Sequence, residues 1–221
     1  MMQYMLLPQI PGLEYSDTVT IILLITVLSI APAILLLMTC FTRIVIVLSF
    51  VRTALSTQYM PPNQVLIGLA LFMTLFVMAP TLAEVNDRAL QPLFAGEMDQ
   101  SAALTEAVAP LKEFMAAHTR EKDLLLFLRY AQAEQPEDVQ SIPLTALVPA
   151  FAISELKTAF QMGFMIFIPF LVIDMVVASV LMSMGMMMLP PVMISLPFKR
   201  LLFVLVCGWH LVVQSLLLSF H

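Results

Sequence analysis

The side chains with the clearest chemical potential are charged residues within or beside long apolar segments. Arg43, Arg52 and Asp174 lie inside such segments, and Glu155 and Lys199 lie near their edges. A charge at bilayer depth costs roughly 2.5–3.5 kcal/mol on insertion scales, so such groups are usually paired or face water. Glu155 has no base at helical spacing on its own segment. We therefore expect it to pair with Lys199, within one chain or between two.

Two interpretations stay open for the other charges. Arg43, Arg52 and Arg200 either extend along apolar surface to a membrane interface or take part in a polar site. Asp174 either accepts a hydrogen bond from a nearby hydroxyl, such as that of Ser179, or has a proton-linked role.

Methionine is concentrated in the second half of the chain. Nine of the eighteen methionines fall within residues 162–193, and Met186, Met187 and Met188 come just before Pro190-Pro191. Methionine is unbranched and conformationally loose, whereas a static core gains more from Leu or Ile. The cluster favours a surface that must deform, such as a seal around a passing polypeptide. The alternative is an ordinarily packed apolar helix.

Signatures of catalysis are missing from the sequence. It contains no GxSxG, HExxH, Walker A or GxGxxG motif, and its three histidines are isolated. Cys40 and Cys207 lie in different apolar segments, which predicts two buried, inert thiols rather than a metal site. We expect no enzyme activity, no cofactor and no metal. The chain has no basic stripe, so nucleic acid is excluded as a partner.

The elements that carry these residues are apolar. The chain is 61% hydrophobic and 11% charged, with a mean hydropathy of +0.97, which is too apolar for a soluble single-core domain. Eleven of its fifteen acids lie between Glu84 and Ile142. The predicted organisation is an apolar hairpin over 1–83, an acidic extra-membrane helical insert over 84–150, and a second apolar hairpin with a Met-rich loop over 151–221.

The first apolar segment is longer than a bilayer requires. From Val19 to Tyr59 it would extend roughly 60 Å as one helix, against a hydrocarbon core of about 30 Å. Either it kinks at Pro32 or much of it lies outside lipid. Because no basic n-region precedes it, we predict a retained helix capped near Ser16 rather than a signal peptide.

The acidic insert has helical periodicity, and two of its aromatic residues have two possible roles. Phe114 and Phe127 either pack inside a small helical domain or contact a neighbouring subunit to support assembly.

A weak internal repeat relates the two apolar parts. Each consists of an apolar run, a Pro-Pro pair and a second apolar run, at Pro61-Pro62 and at Pro190-Pro191. The repeat predicts two helical hairpins whose tips lie on one side. Basic residues cluster near the tips, so the tips are expected in the cytoplasm and the insert outside.

Several long motifs resemble the FliP family of flagellar export-gate proteins, and the resemblance extends from about Val19 to Phe220. The motifs are, in chain order, Phe41–Phe50 (FTRIVIVLSF), Pro61–Gly68 (PPNQVLIG), Ser154–Phe160 (SELKTAF), Ile168–Val176 (IPFLVIDMV), Met182–Pro191 (MSMGMMMLPP) and Ser195–Lys199 (SLPFK).

The resemblance implies an all-α protein of the bacterial inner membrane that forms a homopentameric helical ring in the flagellar basal body. Its implied partners are FliQ, FliR and FlhB subunits, membrane lipids and unfolded flagellar export substrates. It further implies a channel constriction at Met186, Met187 and Met188, and an intersubunit salt bridge between Glu155 and Lys199. The alternatives are the equivalent subunit of a virulence type III secretion system and a proton-linked transporter.

Overall fold

The computed structural model describes Ile25, Ser29 and residues 32–57, 59–132, 136, 138–186 and 190–220. Within this part of the chain every regular element is helical and no strand occurs. The predicted all-α class is confirmed. The predicted cap near Ser16 and the first residues of the apolar segment lie outside the described residues.

Nine α-helices follow one another in the described part. They are α1 (Pro32–Met38), α2 (Phe41–Ala54), α3 (Asn63–Val85), α4 (Gln91–Ala95), α5 (Gln100–His118), α6 (Glu121–Tyr130), α7 (Leu144–Ser183), α8 (Pro191–Leu205) and α9 (Gly208–Leu218). A π-helical turn over Asn86–Leu90 joins α3 to α4, and a 3-10 turn over Val139–Ser141 precedes α7.

Among the residues that the structure describes, two helical stretches are long and apolar enough to cross a membrane. They are Asn63–Ala95, which includes α3 and α4, and α7. Two further spans result if α1 with α2, and α8 with α9, each count as one span interrupted by a break; α8 and α9 are bent by 62°. With 40 residues, α7 extends roughly 60 Å, about twice the thickness of a bilayer core.

The described residues fall into two compact units. The insert unit contains Met78–Ala152 and the described residues that precede Cys40; the hairpin unit contains Cys40–Val77 and Ile153–His221. The predicted insert, 84–150, lies within Met78–Ala152 of the insert unit. The division into three domains stays a prediction.

The insert unit has its own hydrophobic core. Met115 of α5 packs with Ile142, Leu147 and Phe151, and all four side chains are buried. The capping box that Asp138 and Ser141 form around the 3-10 turn fixes where the chain enters α7.

The hairpin unit is held by one face of α2. Ile44, Val47, Leu48 and Val51 follow helical spacing and are fully buried. α2 approaches α7 closely because Gly163 has no side chain: a Cβ built there would lie 2.5 Å from the ring of Phe50.

Candidate functional site

A buried ion pair joins α2 to α7 in the hairpin unit. Arg43 Nε donates to Glu155 Oε2 at 2.8 Å, and Arg43 Nη2 donates to the other carboxylate oxygen. The residues are 3% and 0% exposed. Bidentate geometry matches the planar guanidinium to the carboxylate and satisfies charges that water cannot reach.

The same guanidinium reaches the end of α9. Arg43 Nη1 donates to the carbonyl oxygen of Ser219 at 3.0 Å and to its Oγ at 3.1 Å. The Arg43 Cζ lies 4.0 Å from the centroid of the Phe220 ring, within cation–π range. The interpretation that Arg43 extends to a membrane interface is therefore wrong, because Glu155 neutralises its charge inside the hairpin unit.

A second ion pair joins α7 to α8. Lys199 Nζ donates to Asp174 Oδ2 at 2.6 Å and to Ser56 Oγ at 2.9 Å. Ser195 Oγ also donates to Asp174. The carboxylate thus has a hydroxyl partner, as one interpretation held, but the hydroxyl is that of Ser195 and not of Ser179. One turn of α8 brings Ser195 and Lys199 to the same face.

Glu155 and Lys199 do not contact each other within the chain. Arg43 holds the first and Asp174 holds the second, so the expected pairing within one chain is wrong. The pattern of opposite charges in apolar segments indicated buried pairs. It did not indicate which acid meets which base, because that depends on the packing of three helices. The bridge between subunits stays a prediction.

Arg52 closes the loop between α2 and α3. Its Nη1 donates to Asn63 Oδ1 and, at 3.4 Å, to the carbonyl oxygen of Pro61. It therefore stabilises the first hairpin tip. Arg200, by contrast, is exposed.

The methionine segment begins at the end of α7. Met182, Met184 and Met186 are 60%, 62% and 41% exposed, and Gly185 adopts a left-handed φ of 76° that ends the helix. Met187 and Met188 lie outside the described residues. The exposed thioethers agree with a deformable surface, and the seal stays a prediction.

Phe114 packs against the core of the insert unit. Its ring centroid lies 6.1 Å from that of Phe151 and 4.5 Å from that of His118. Phe127 is half-buried on α6. Packing within the domain therefore accounts for Phe114, and an intersubunit contact of either residue stays a prediction.

Of the two cysteines, Cys40 is buried and Cys207 is exposed. The prediction of two buried thiols is wrong for Cys207, because this residue forms the break between α8 and α9 with a φ of 50°. The described residues contain no group of three or more His, Cys, Asp or Glu side chains that could hold a metal ion.

Long apolar helices joined by buried ion pairs define a multi-pass α-helical membrane protein. Residues 24–216 match the FliP family, and the chain belongs to that family. It is 71% identical over 205 residues, 93% of either chain, to the flagellar biosynthetic protein FliP of Bacillus subtilis (strain 168). It is 52% identical to the protein of that name from Pectobacterium carotovorum, covering 95% of this chain and 81% of the relative. For Aquifex aeolicus (strain VF5) the identity is 45%, covering 96% and 93%.

Proposed function

We propose that this chain is a core subunit of the flagellar type III export gate and forms the channel through which unfolded flagellar subunits cross the inner membrane. The observation that carries the proposal is its 71% identity, over 93% of both chains, to a protein named for flagellar biosynthesis. The flagellar names of the relatives favour this system over a virulence secretion system.

The exposed apolar residues of α7 are a reason to propose that the chain assembles with other subunits. Phe160, Phe164 and Met165 are 56%, 65% and 72% exposed, and exposed apolar residues recur from Ile153 to Met182. That stretch is roughly 45 Å long, so a bilayer core of about 30 Å cannot cover all of it. Neighbouring copies in a pentamer, with FliQ, FliR and FlhB, would cover the remainder.

Within the assembled gate, Met186, Met187 and Met188 form the constriction. Five copies bring fifteen thioethers to one opening, where flexible side chains close on each other and repack around a passing chain. The proposed role is passive conduction, without catalysis or cofactor.

The intersubunit bridge between Glu155 and Lys199 is part of the same proposal. Each carboxylate oxygen has two lone pairs and an ammonium has three donors, so each group has capacity beyond its partner within the chain. Both residues are buried in the single chain, so a local rearrangement must accompany assembly.

A proton-linked transporter is the less favoured function. Its candidate groups are Asp174 and Glu155. Lys199 and Ser195 bind the first and Arg43 binds the second, which is the environment of structural carboxylates.

Deletion of the gene tests the proposal. Cells without the chain should export no rod or hook protein and build no filaments, while a plasmid copy restores both. Immunoblots of hook protein in the culture medium measure the effect. Normal filaments in the deletion strain would contradict the proposal, and loss of virulence effectors with normal motility would support the virulence alternative.

A further inference from the structure

We propose that the hairpin unit binds one anionic phospholipid in a groove between its two hairpin tips. The groove has a volume of about 700 Å³ and lies between the loop after α2 and the first turns of α8, where Ser56, Tyr59, Met60, Met193, Leu196 and Arg200 line it. We call it the tip groove. The inference concerns lipid recognition and does not depend on the proposed export function.

The charge of the tip groove suits an anion. None of the described residues that line it is acidic, and no ion pair within that part of the chain involves Arg200. The neighbouring Lys199 is neutralised by Asp174. Arg200 therefore contributes an uncompensated positive charge beside an opening.

A second polar contact is available at the loop. Ser56 Oγ accepts a hydrogen bond from Lys199 Nζ at 2.9 Å. The hydroxyl hydrogen of Ser56 can then be donated to a phosphate oxygen. Arg200 and Ser56 together offer a phosphate one charged donor and one neutral donor.

The rest of the tip groove suits an acyl chain. Met193, Leu196 and Arg200 recur at helical spacing on one face of α8. Arg200 therefore lies on the same side of the groove as the apolar side chains of Leu196 and Met193. Met60 and Met193, 73% and 66% exposed, provide adaptable apolar surface.

The position of the tip groove favours a lipid over a free anion. It lies where two apolar hairpins turn, and Tyr59, 81% exposed, is the kind of amphipathic residue found at membrane interfaces. Basic pockets between membrane helices typically bind anionic headgroups. A free phosphate would use Arg200 and leave the methionine surface uncovered.

Lipid titration of the purified chain in a neutral detergent tests the inference. Phosphatidylglycerol or phosphatidylcholine is added, and native mass spectrometry measures the lipid bound. We expect one phosphatidylglycerol per chain and no equivalent phosphatidylcholine. Arg200→Gln should weaken phosphatidylglycerol binding about fivefold or more, since one basic residue near a surface contributes about that much. Met193→Glu should weaken it similarly by placing an acid in the groove.

Arg129→Gln is the matched control. Arg129 is also exposed, lies on α6 of the insert unit, and should leave binding unchanged. Phosphatidylglycerol bound equally by wild type and Arg200→Gln would overturn the inference. So would equal losses in Arg200→Gln and Arg129→Gln, which indicate non-specific charge, or full competition by sodium phosphate at equal concentration, which indicates a free-anion site.

Discussion

Arg43 joins three parts of the hairpin unit. Its guanidinium binds Glu155, the end of α9 and the Phe220 ring. Removing one member of a buried ion pair leaves the other charge uncompensated, which typically costs about 3–5 kcal/mol. We predict that Arg43→Gln lowers the free energy of unfolding by about that amount, measured by chemical unfolding of the purified chain in detergent.

Two variants control for this effect. Arg129→Gln removes an exposed arginine and should change the free energy of unfolding by no more than about 0.5 kcal/mol. The double variant Arg43→Leu with Glu155→Leu removes both charges and should recover most of the lost stability. If Arg43→Gln and Arg129→Gln have the same free energy of unfolding, the ion pair does not stabilise the chain.

The bridge between subunits is tested by exchanging charges. Glu155→Lys should reduce the yield of oligomer, and adding Lys199→Glu should restore part of it, as measured by the mass of the detergent-extracted complex. Arg43→Glu is added to Glu155→Lys in a second double variant. If this variant restores the oligomer and the one with Lys199→Glu does not, Glu155 acts only through Arg43, its partner within the chain.

For the buried charges, the residue types alone predicted that the groups are paired but not which groups pair. Their placement in apolar segments predicted paired groups, and the described residues include two such buried ion pairs, Arg43–Glu155 and Lys199–Asp174. The partners could not be predicted. The hydroxyl beside Asp174 comes from Ser195, 21 residues along the chain, and only the packing of α8 on α7 brings it there.

At the scale of the helices, Gly163 and Gly68 provide a matched pair. Both lie inside apolar helices. A Cβ at Gly163 would lie 2.5 Å from the Phe50 ring, whereas Gly68 faces open space. Gly163→Ala should destabilise the chain by about 1–3 kcal/mol through overpacking, and Gly68→Ala should stabilise it by up to about 1 kcal/mol through helix propensity. Thermal unfolding followed by circular dichroism measures both, and equal effects would contradict the close approach of α2 to α7.

The existence of most helices could be predicted from apolar runs and proline pairs, but their limits could not. Asp174 and Pro169 suggest an interruption, yet α7 is continuous from Leu144 to Ser183. Apolar helices tolerate proline when their neighbours satisfy the freed backbone groups, and Lys199 neutralises the acid. Lys199 lies 25 residues beyond Asp174 along the chain, so local patterns cannot reveal this compensation.

At the scale of the whole molecule, the two insert phenylalanines should separate folding from assembly. Phe114 packs on Phe151, so Phe114→Ala should lower the free energy of unfolding by roughly 3 kcal/mol. Phe127→Ala should leave stability nearly unchanged and reduce the oligomer yield. Unfolding of the purified chain and the mass of the extracted complex give the two readings. If Phe127→Ala leaves the oligomer yield unchanged, Phe127 packs within the insert unit and does not contact a neighbouring subunit.

Assembly is the level at which the sequence is least informative by itself. Composition excluded a soluble domain, and the motifs identified the family, but the sequence does not show which part of the exposed apolar surface of α7 meets lipid and which part meets neighbouring subunits. Hydropathy cannot distinguish these two environments because both are apolar.

Photocrosslinking from position 186 tests whether the chain conducts an unfolded polypeptide. A photoreactive amino acid replaces Met186, and a flagellar export substrate fused to a stably folded domain is expressed so that it stalls in the gate. We predict a covalent adduct between the chain and the stalled substrate, and none from the same probe at Leu104, an exposed residue of α5. A stalled substrate that blocks hook-protein export but forms no adduct with position 186 would contradict it.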